Sequence, residues 1–295
     1  MSAPADLRSR AEALADPLPP LLASAEQLAA TVALGQHGRR RAGLGDSFWQ
    51  YRPSHQSDAS TRIDWRRSGK TDQTFVQDKE WQIAQSVALW VDRSSAMRHA
   101  SSDRIPQKAE RARLLALALS ALLIRGGERV GLTGSTAEGD GLPPRPGEAQ
   151  LARLANALVG EESAEYGLPG QEGLPPHSRA VFLSDFLGDP APLEAAIAQA
   201  ADRGIRGAFL QILDPEEESF PFRGRTIFES GAGSLRHETL KADALRQRYL
   251  DRLAERKDRL AQLARMSGWL FTTHLTSEPA APALLWLYTA LDQRA

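Results

Sequence analysis

Three short apolar runs, each ending in an acidic residue, constrain the fold of this chain more than any other feature. The runs are SVALWVD, AVFLSD and GAFLQILD, which begin at Ser86, Ala180 and Gly207, and helical patterns lie between them. A run that is apolar on both faces suits a strand inside a parallel sheet that helices cover on both sides. The sequence therefore predicts a three-layer, Rossmann-like α/β fold around a mostly parallel sheet.

The same pattern predicts the order of elements along the chain. Central strands are expected at Val87–Val91, Val130–Leu132, Val181–Leu183 and Ala208–Ile212. The segment PEEESFPFRGRTIFES after Asp214 suggests an edge hairpin, and a one-sided apolar stripe predicts a long helix over about 240–266. GWLFTTHLT is then expected to form a last strand and PALLWLYTALD a closing helix.

The composition excludes several classes of protein. Lys and Arg total 36 against 37 for Asp and Glu, so no global field favours nucleic acid or an anionic membrane. The chain has no Cys, which excludes disulfide scaffolds and thiolate sites and suits a reducing compartment. The N-terminus lacks the features of a signal peptide, and the most apolar run is about half as long as a membrane helix. We expect a cytoplasmic protein with no membrane span and no nucleic-acid partner.

The first 80 residues differ in pattern from the rest of the chain. Residues 1–35 predict a weakly amphipathic helical segment, whereas residues 37–74 are rich in Arg, Gly, Ser and Trp and have no helical period. We therefore expect an accessory segment over 1–80, helical at first and then irregular with short strands. One α/β domain with a C-terminal helical extension is expected over 81–295.

The accessory segment holds a cluster of basic residues among aromatic ones. The basic residues are Arg39, Arg40, Arg41, Arg52, Arg62, Arg66, Arg67 and Lys70, and the aromatic ones are Phe48, Trp49, Tyr51 and Trp65. Such a cluster can bind nucleic acid, but interleaved aspartates dilute its field, so internal ion pairs are the preferred interpretation. We expect Trp65 to be buried and Asp64 to pair with an arginine. Exposed arginines that bind a partner are the alternative.

Two of the acidic residues, Asp92 and Asp185, follow apolar strands directly. In an open parallel sheet, ligands bind beyond the carboxyl ends of the strands at the point where the strand order reverses. Two carboxylates that meet there with hydroxyl oxygens would suit a hard cation such as Mg²⁺. The alternative is that each aspartate only caps the helix that follows it.

The segment from Asp92 to Met97, DRSSAM, resembles the Asp-x-Ser-x-Ser metal-ion-dependent adhesion site of von Willebrand factor A domains. Upstream lie Gly45-Asp46-x-Phe48-Trp49-x-x-Arg52 and Arg62-Ile63-Asp64-Trp65-Arg66, and Ser184-Asp185-Phe186 follows later. Together these elements resemble the bacterial domain-of-unknown-function family 58. The resemblance implies an arginine-rich motif segment, here Arg52, Arg62, Asp64, Trp65 and Arg66, before a degenerate von Willebrand factor A-like domain.

The chain departs from the adhesion-site motif at two positions. Ala96 stands where a Ser would supply a metal oxygen, and no Thr matches the one that the motif takes from the loop after the second strand. A hard cation needs about six oxygens, so waters would have to complete a set consisting of Asp92, Ser94 and Asp185. No cofactor is expected beyond a weakly bound Mg²⁺.

The resemblance also implies a role, because proteins of this family commonly accompany a MoxR-type AAA+ ATPase. It implies a non-enzymatic interaction module, an adaptor in a chaperone-like complex for envelope or metalloprotein assembly. The alternative is a metal-dependent phosphodiesterase or nuclease that uses Asp92 and Asp185, with Asp214 as a third carboxylate. No phosphate-binding glycine loop, zinc-protease motif or nucleophile elbow supports an enzyme, and His274 is expected to be structural.

Overall fold

The chain divides into two units with separate sets of internal contacts. A computed structural model describes residues 18–32, 42–43, 47–54, 63–69, 74–80, 84–134, 141–159, 164–169, 174–231, 233 and 236–292. The larger unit consists of Met1–Leu34 and Gln85–Ala295, and the smaller unit of Gly35–Ala84. This division differs from the predicted accessory segment over 1–80, because the first helix belongs to the larger unit.

The elements of the described residues are as follows. The strands are β1 (Ala42–Gly43), β2 (Ser47–Pro53), β3 (Phe75–Glu80), β4 (Ser86–Val91), β5 (Arg129–Leu132), β6 (Leu142–Arg145), β7 (Arg179–Ser184), β8 (Arg206–Leu213), β9 (Thr226–Glu229), β10 (Arg236–Thr239) and β11 (Leu270–Leu275). The α-helices are α1 (Leu18–Val32), α2 (Trp65–Ser68), α3 (Lys108–Arg125), α4 (Glu148–Val159), α5 (Pro190–Asp202), α6 (Pro215–Ser219), α7 (Asp243–Ser267) and α8 (Ala280–Asp292). A 3₁₀ turn spans Ser95–Arg98.

A six-stranded sheet forms the centre of the larger unit, in the order β6-β5-β4-β7-β8-β11. The pairs from β5 across to β11 are parallel, which confirms the four predicted central strands and the predicted last strand. The strand order reverses between β4 and β7, the first and fourth strands of this sheet in chain order. The loops after these two strands, which carry Asp92 and Asp185, therefore lie at the switch point where ligands bind in open α/β sheets.

Helices cover both faces of the sheet, so the three-layer α/β prediction is confirmed. Side chains alternate along each strand; on β4, Val87, Leu89 and Val91 face one core cluster and Ala88 and Trp90 the other. Helices α1, α3, α4 and α8 contribute to the first cluster, and α5 and α7 to the second. None of the helices that the structure describes is long and apolar enough to cross a membrane.

The sequence did not predict the edge strand β6. Its residues LPPR pair antiparallel with β5, and a Pro-rich strand fits at a sheet edge because proline cannot donate to a neighbour. A Cβ on Gly131 would lie 2.4 Å from the carbonyl oxygen of Leu142, so this close approach requires glycine. The predicted edge hairpin does form, as β9 and β10, but it is a separate two-stranded sheet and not an edge of the large one.

The smaller unit is built around an antiparallel three-stranded sheet in the order β1-β3-β2. Ile63 bridges to Val76 on β3, and the short helix α2 follows directly. Val76 is fully buried. The short strands agree with the sequence prediction for this stretch.

Candidate functional site

Asp92 lies at the end of β4 with its side chain only 2% exposed. Its Oδ1 accepts a hydrogen bond from the backbone N–H of Ser94 at 2.9 Å, and its Oδ2 accepts one from the Ser184 hydroxyl at 2.6 Å. Burial, followed by the negative charge of Asp185, raises the pKa of Asp92 above its ordinary value. Asp92 is thus a desolvated carboxylate fixed by the loops after two adjacent strands.

Asp185, at the end of β7, forms a buried ion pair with Lys108. The ammonium nitrogen of Lys108 lies 2.7 Å from Asp185 Oδ2 and 2.6 Å from Oε1 of Glu217. Burial alone would lower the pKa of Lys108, but the attraction of the two carboxylates outweighs it and raises the pKa above its ordinary value. The second oxygen of Asp185 accepts from the backbone N–H of Leu187 at 3.0 Å. Lys108 therefore stays charged and joins two acidic groups.

Lys108 and Glu217 were not predicted as site residues. Lys108 is the first residue of α3 and stands four and seven positions before Ala112 and Leu115, which are both fully buried. A lysine in line with a buried apolar stripe is a signal that it needs an acidic partner inside the protein. Glu217 follows β8 within the capping box that begins at Asp214, so its position at the carboxyl edge of the sheet could be read from the sequence.

A short segment, Ala164–Pro169, lies directly on the Asp92 loop. The backbone N–H groups of Ser95 and Ala96 donate to the carbonyl oxygens of Ala164 and Glu165, at 2.9 and 3.0 Å. A Cβ on Gly167 would lie 2.3 Å from Asp92 Oδ1, so the backbone passes as close to this carboxylate as a glycine allows. We call Ala164–Pro169 the covering segment.

The cleft that remains at the switch point is small, with a volume of about 30 Å³. Asp92, Ser184 and Asp185 line it from the strand ends, and Tyr166 of the covering segment and Arg256 of α7 from above. Such a volume holds one or two waters. The hydroxyl of Ser94, the third predicted ligand, is fully buried and has no hydrogen-bond partner among the described residues. The structure thus brings Asp92 and Asp185 to one cleft, while the Ser94 hydroxyl does not line it.

These residues fit a divalent cation poorly. Lys108 already supplies a positive charge to Asp185, and Gly167 packs against Asp92 where a ligand would have to approach. Within the described ranges, no group of three or more His, Cys, Asp or Glu is arranged to hold a metal. Both oxygens of Asp214 accept backbone N–H groups, from Glu216 and Ser101, so this residue caps α6 and ties down a loop.

A second buried polar cluster lies at the C-terminal end of β11. Arg111 donates to the carbonyl oxygens of Thr276 and Glu278, at 3.0 and 2.7 Å, and its Nη1 lies 3.2 Å from Nε2 of His274. Burial, followed by the charge of Arg111, lowers the pKa of His274 to about 4. A neutral His274 with its proton on Nδ1 can accept from the arginine, so these contacts tie β11 to α3. This is consistent with the structural role expected for His274.

The family-motif segment forms a tight turn in the smaller unit. Asp64 Oδ1 accepts from the backbone N–H of Arg66 at 3.1 Å. The Ser68 hydroxyl donates to the Asp64 carbonyl oxygen at 2.7 Å and accepts from the backbone N–H of Phe75 at 2.9 Å. The motif residue Asp64 and the nearby Ser68 therefore hold α2 against β3.

The prediction that Trp65 is buried is wrong, because its side chain is 66% exposed. Trp65 is the first residue of α2, and Arg66 beside it is also exposed. In an irregular segment the size of a side chain does not predict whether it faces the core or the solvent. Here the turn directs the Trp65 side chain toward the solvent. The pairing of Asp64 with an arginine side chain stays a prediction. Arg62 and the Arg52 side chain lie outside the described residues.

Comparisons with known proteins give a family and remote structural similarities. The sequence model of the family described as "Protein of unknown function DUF58" matches residues 50–259. The fold is similar to the conserved hypothetical protein BatB from Bacteroides thetaiotaomicron, with 13% identity and a TM-score of 0.42 over 72% of this chain and 99% of that one. An aerotolerance-related membrane protein from Bacteroides fragilis gives 16% identity and a TM-score of 0.42, with the same coverage. No curated protein matches the chain.

Proposed function

Because this chain belongs to the DUF58 family, we propose that it is a non-enzymatic protein-interaction module that binds a MoxR-type AAA+ ATPase. In this role it would act as an adaptor in a chaperone-like complex for envelope or metalloprotein assembly. The partner follows from the family resemblance of the motif residues, and the cytoplasm is the location that we propose for the complex.

The observation that carries the proposal is the exposure of Trp65 on a fixed turn. A tryptophan that is two-thirds exposed presents a large apolar area to water. Asp64 and Ser68 fix the turn by hydrogen bonds to the backbone, so little conformational entropy is lost when a partner covers it. Trp and Arg are the residues most enriched among those that dominate binding energy at interfaces. Trp65 with the adjacent Arg66 therefore suits a partner surface that offers an apolar pocket beside carboxylates.

The geometry at the switch point supports the non-enzymatic part of the proposal. Both carboxylate oxygens of Asp92 accept hydrogen bonds, and Asp185 is paired with Lys108. The covering segment leaves a cleft of about 30 Å³. Ligand pockets usually have about 300–1,000 Å³. The alternative of a phosphodiesterase or nuclease needs carboxylates free to hold metal ions, and no specific observation favours it.

The test is the affinity of the full chain for the purified MoxR-type ATPase of the same genome. We expect Trp65→Ala to weaken binding about tenfold or more, as truncation of a dominant interface residue does. Met266→Ala is the matched control, because Met266 on α7 is also a large apolar residue and is 79% exposed. Both variants should keep the wild-type melting temperature.

Two outcomes would contradict the proposal. One is that the wild-type chain does not bind the ATPase, with or without ATP. The other is that the chain hydrolyses a phosphodiester substrate in Mg²⁺ or Mn²⁺ and that Asp92→Ala abolishes the activity. If Trp65→Ala and Met266→Ala weakened binding equally, the ATPase would still be a partner, but Trp65 would have no special role in binding it.

A further inference from the structure

Lys108 stands where the two carboxylates at the carboxyl edge of the sheet need a positive charge. We propose that the Lys108 ammonium is a built-in replacement for a divalent cation, so that this edge keeps a positive charge between its carboxylates and keeps its shape without metal. This inference goes beyond the proposed partnership with the ATPase, because the role of Lys108 does not depend on whether the ATPase binds.

The Lys108 ammonium lies between two carboxylates, within hydrogen-bond distance of both. Its nitrogen is 2.7 Å from one carboxylate and 2.6 Å from another, and the lysine side chain is only 1% exposed. These are lengths of charge-assisted hydrogen bonds, which a lysine forms by donating N–H groups. Asp185 is also 1% exposed, whereas Glu217 is 17% exposed. A charge on Asp185 would be too costly to bury without such a partner.

The ammonium joins three elements of the larger unit. Lys108 begins α3, Asp185 follows β7 and Glu217 belongs to α6, which follows β8. The other oxygen of Glu217 accepts from the backbone N–H of Asp214 at 2.9 Å, so the carboxylate is held from both sides. Loops after two neighbouring parallel strands are thus connected through one cation, which is the structural task of a bound metal at such an edge.

The neighbouring carboxylate, Asp92, is satisfied by other groups, since Lys108 pairs with Asp185 and Glu217. Asp92 obtains its hydrogen bonds from Ser94 and Ser184 instead, and burial, followed by the charge of Asp185, raises its pKa. The protein therefore satisfies the two aspartates in different ways, one by an ammonium and one by a hydroxyl and an amide. Neither way uses an ion from solution, so chelators should leave the edge unchanged.

The experiment is to replace the ammonium with an oxygen ligand and to supply the metal. In Lys108→Ser the carboxylates of Asp185 and Glu217 face each other without a cation, and Mn²⁺ should bind between them. We expect millimolar Mn²⁺ to raise the melting temperature of Lys108→Ser by about 4 °C or more and that of the wild type by less than about 1 °C. Electron paramagnetic resonance of free Mn²⁺ should show binding to the variant and not to the wild type.

Two control variants make the result specific. Lys108→Ser combined with Asp185→Asn should lose the Mn²⁺ response, since one of the two carboxylates is gone. Lys257→Ser should never gain a response, because Lys257 pairs with Glu218 at a partly exposed position of α7. If Lys108→Ser is unfolded in EDTA by circular dichroism, the proposal expects it to refold when Mn²⁺ is added.

Three results would overturn the proposal. The first is a wild-type Mn²⁺ response that Asp185→Asn abolishes, which would show a metal site beside the ammonium. The second is a folded Lys108→Ser that binds no more Mn²⁺ than the wild type. The third is a Lys108→Ser that stays unfolded both in EDTA and in Mn²⁺, which would make the lysine a structural residue that no cation replaces.

Discussion

The ammonium nitrogen of Lys108 lies 2.7 Å from Oδ2 of Asp185, and each of these two side chains is only 1% exposed. The two residues are 77 positions apart in sequence. A pair that is this deeply buried contributes little when it is intact, because desolvation offsets the attraction, but removing one partner leaves an uncompensated charge. The effect of mutation should therefore be large and asymmetric.

Lys108→Met should destabilise the fold strongly. Because it leaves the buried carboxylate of Asp185 and the partly buried one of Glu217 without a cation, we expect the free energy of unfolding in urea to fall by about 3–5 kcal/mol. Lys257→Met is the matched control, since the Lys257–Glu218 pair is partly exposed and such pairs contribute about 0–1 kcal/mol. Equal losses in the two variants would refute a special role for the buried pair.

Asp92→Asn should change how stability depends on pH. The pKa of Asp92 is raised above its ordinary value of 3.8, so the folded protein takes up this proton at a higher pH than the unfolded chain does. The contribution of Asp92 to the unfolding free energy therefore increases as the pH falls and is fully present below pH 3.8. Between neutral pH and about pH 4, the unfolding free energy of the wild type should rise relative to that of the variant. A relative fall would contradict the raised pKa.

His274→Gln should reveal a pH dependence of the unfolding free energy that is opposite to that of Asp92: the wild type should lose stability relative to this variant as the pH falls. The pKa of His274 is lowered from 6.5 to about 4, so the unfolded chain binds this proton first. Stability from a neutral His274 is fully present above 6.5 and is lost as the pH falls toward about 4. Since glutamine can still accept from Arg111 but does not titrate, the variant should lack this loss. His237→Gln, at an exposed position of β10, is the control and should follow the wild type.

Gly167→Ala should loosen the covering segment. The added Cβ would lie 2.3 Å from Asp92 Oδ1, and overpacking of this kind costs about 1–3 kcal/mol. We expect faster hydrogen exchange at the amides of Ser95 and Ala96, which donate to the covering segment. Gly126→Ala is the control, because its Cβ would meet the nearest atom at 3.3 Å. Unchanged exchange at both amides would show that the segment tolerates the methyl group in place.

Much of the fold could be predicted because its strands are buried on both faces. Val181–Leu183 and Ala208–Ile212 are continuous apolar runs, and the parallel order that follows from them puts Asp92 and Asp185 at one edge. The strand β6 escaped prediction because LPPR has the composition of a loop. Only its pairing with β5 makes it a strand.

The site was harder to predict because the partners of its aspartates come from helices and from the covering segment. The apolar strand ends identify Asp92 and Asp185, but no local pattern says that Asp185 meets Lys108 or that Gly167 covers Asp92. These contacts join segments more than seventy residues apart and depend on tertiary packing. The turn that carries Trp65 is instead held by local hydrogen bonds, which Asp64 accepts from the Arg66 amide and from the Ser68 hydroxyl, so the hydrophobicity of Trp65 does not predict its outward direction.

The helix α1 shares a core with α3, although the whole of Gly35–Ala84 lies between them in the chain. In chain order the smaller unit therefore lies between two parts of one larger domain, and a domain of this kind can tolerate exchange of the part between them. A gene in which a flexible linker replaces residues 35–84 would still encode every strand of the six-stranded sheet. Because residues 35–84 are continuous in the chain, recombination at the two ends of this stretch would transfer the turn that carries Trp65 as a single segment. The recognition properties of such a protein could then diversify while its larger domain stays unchanged.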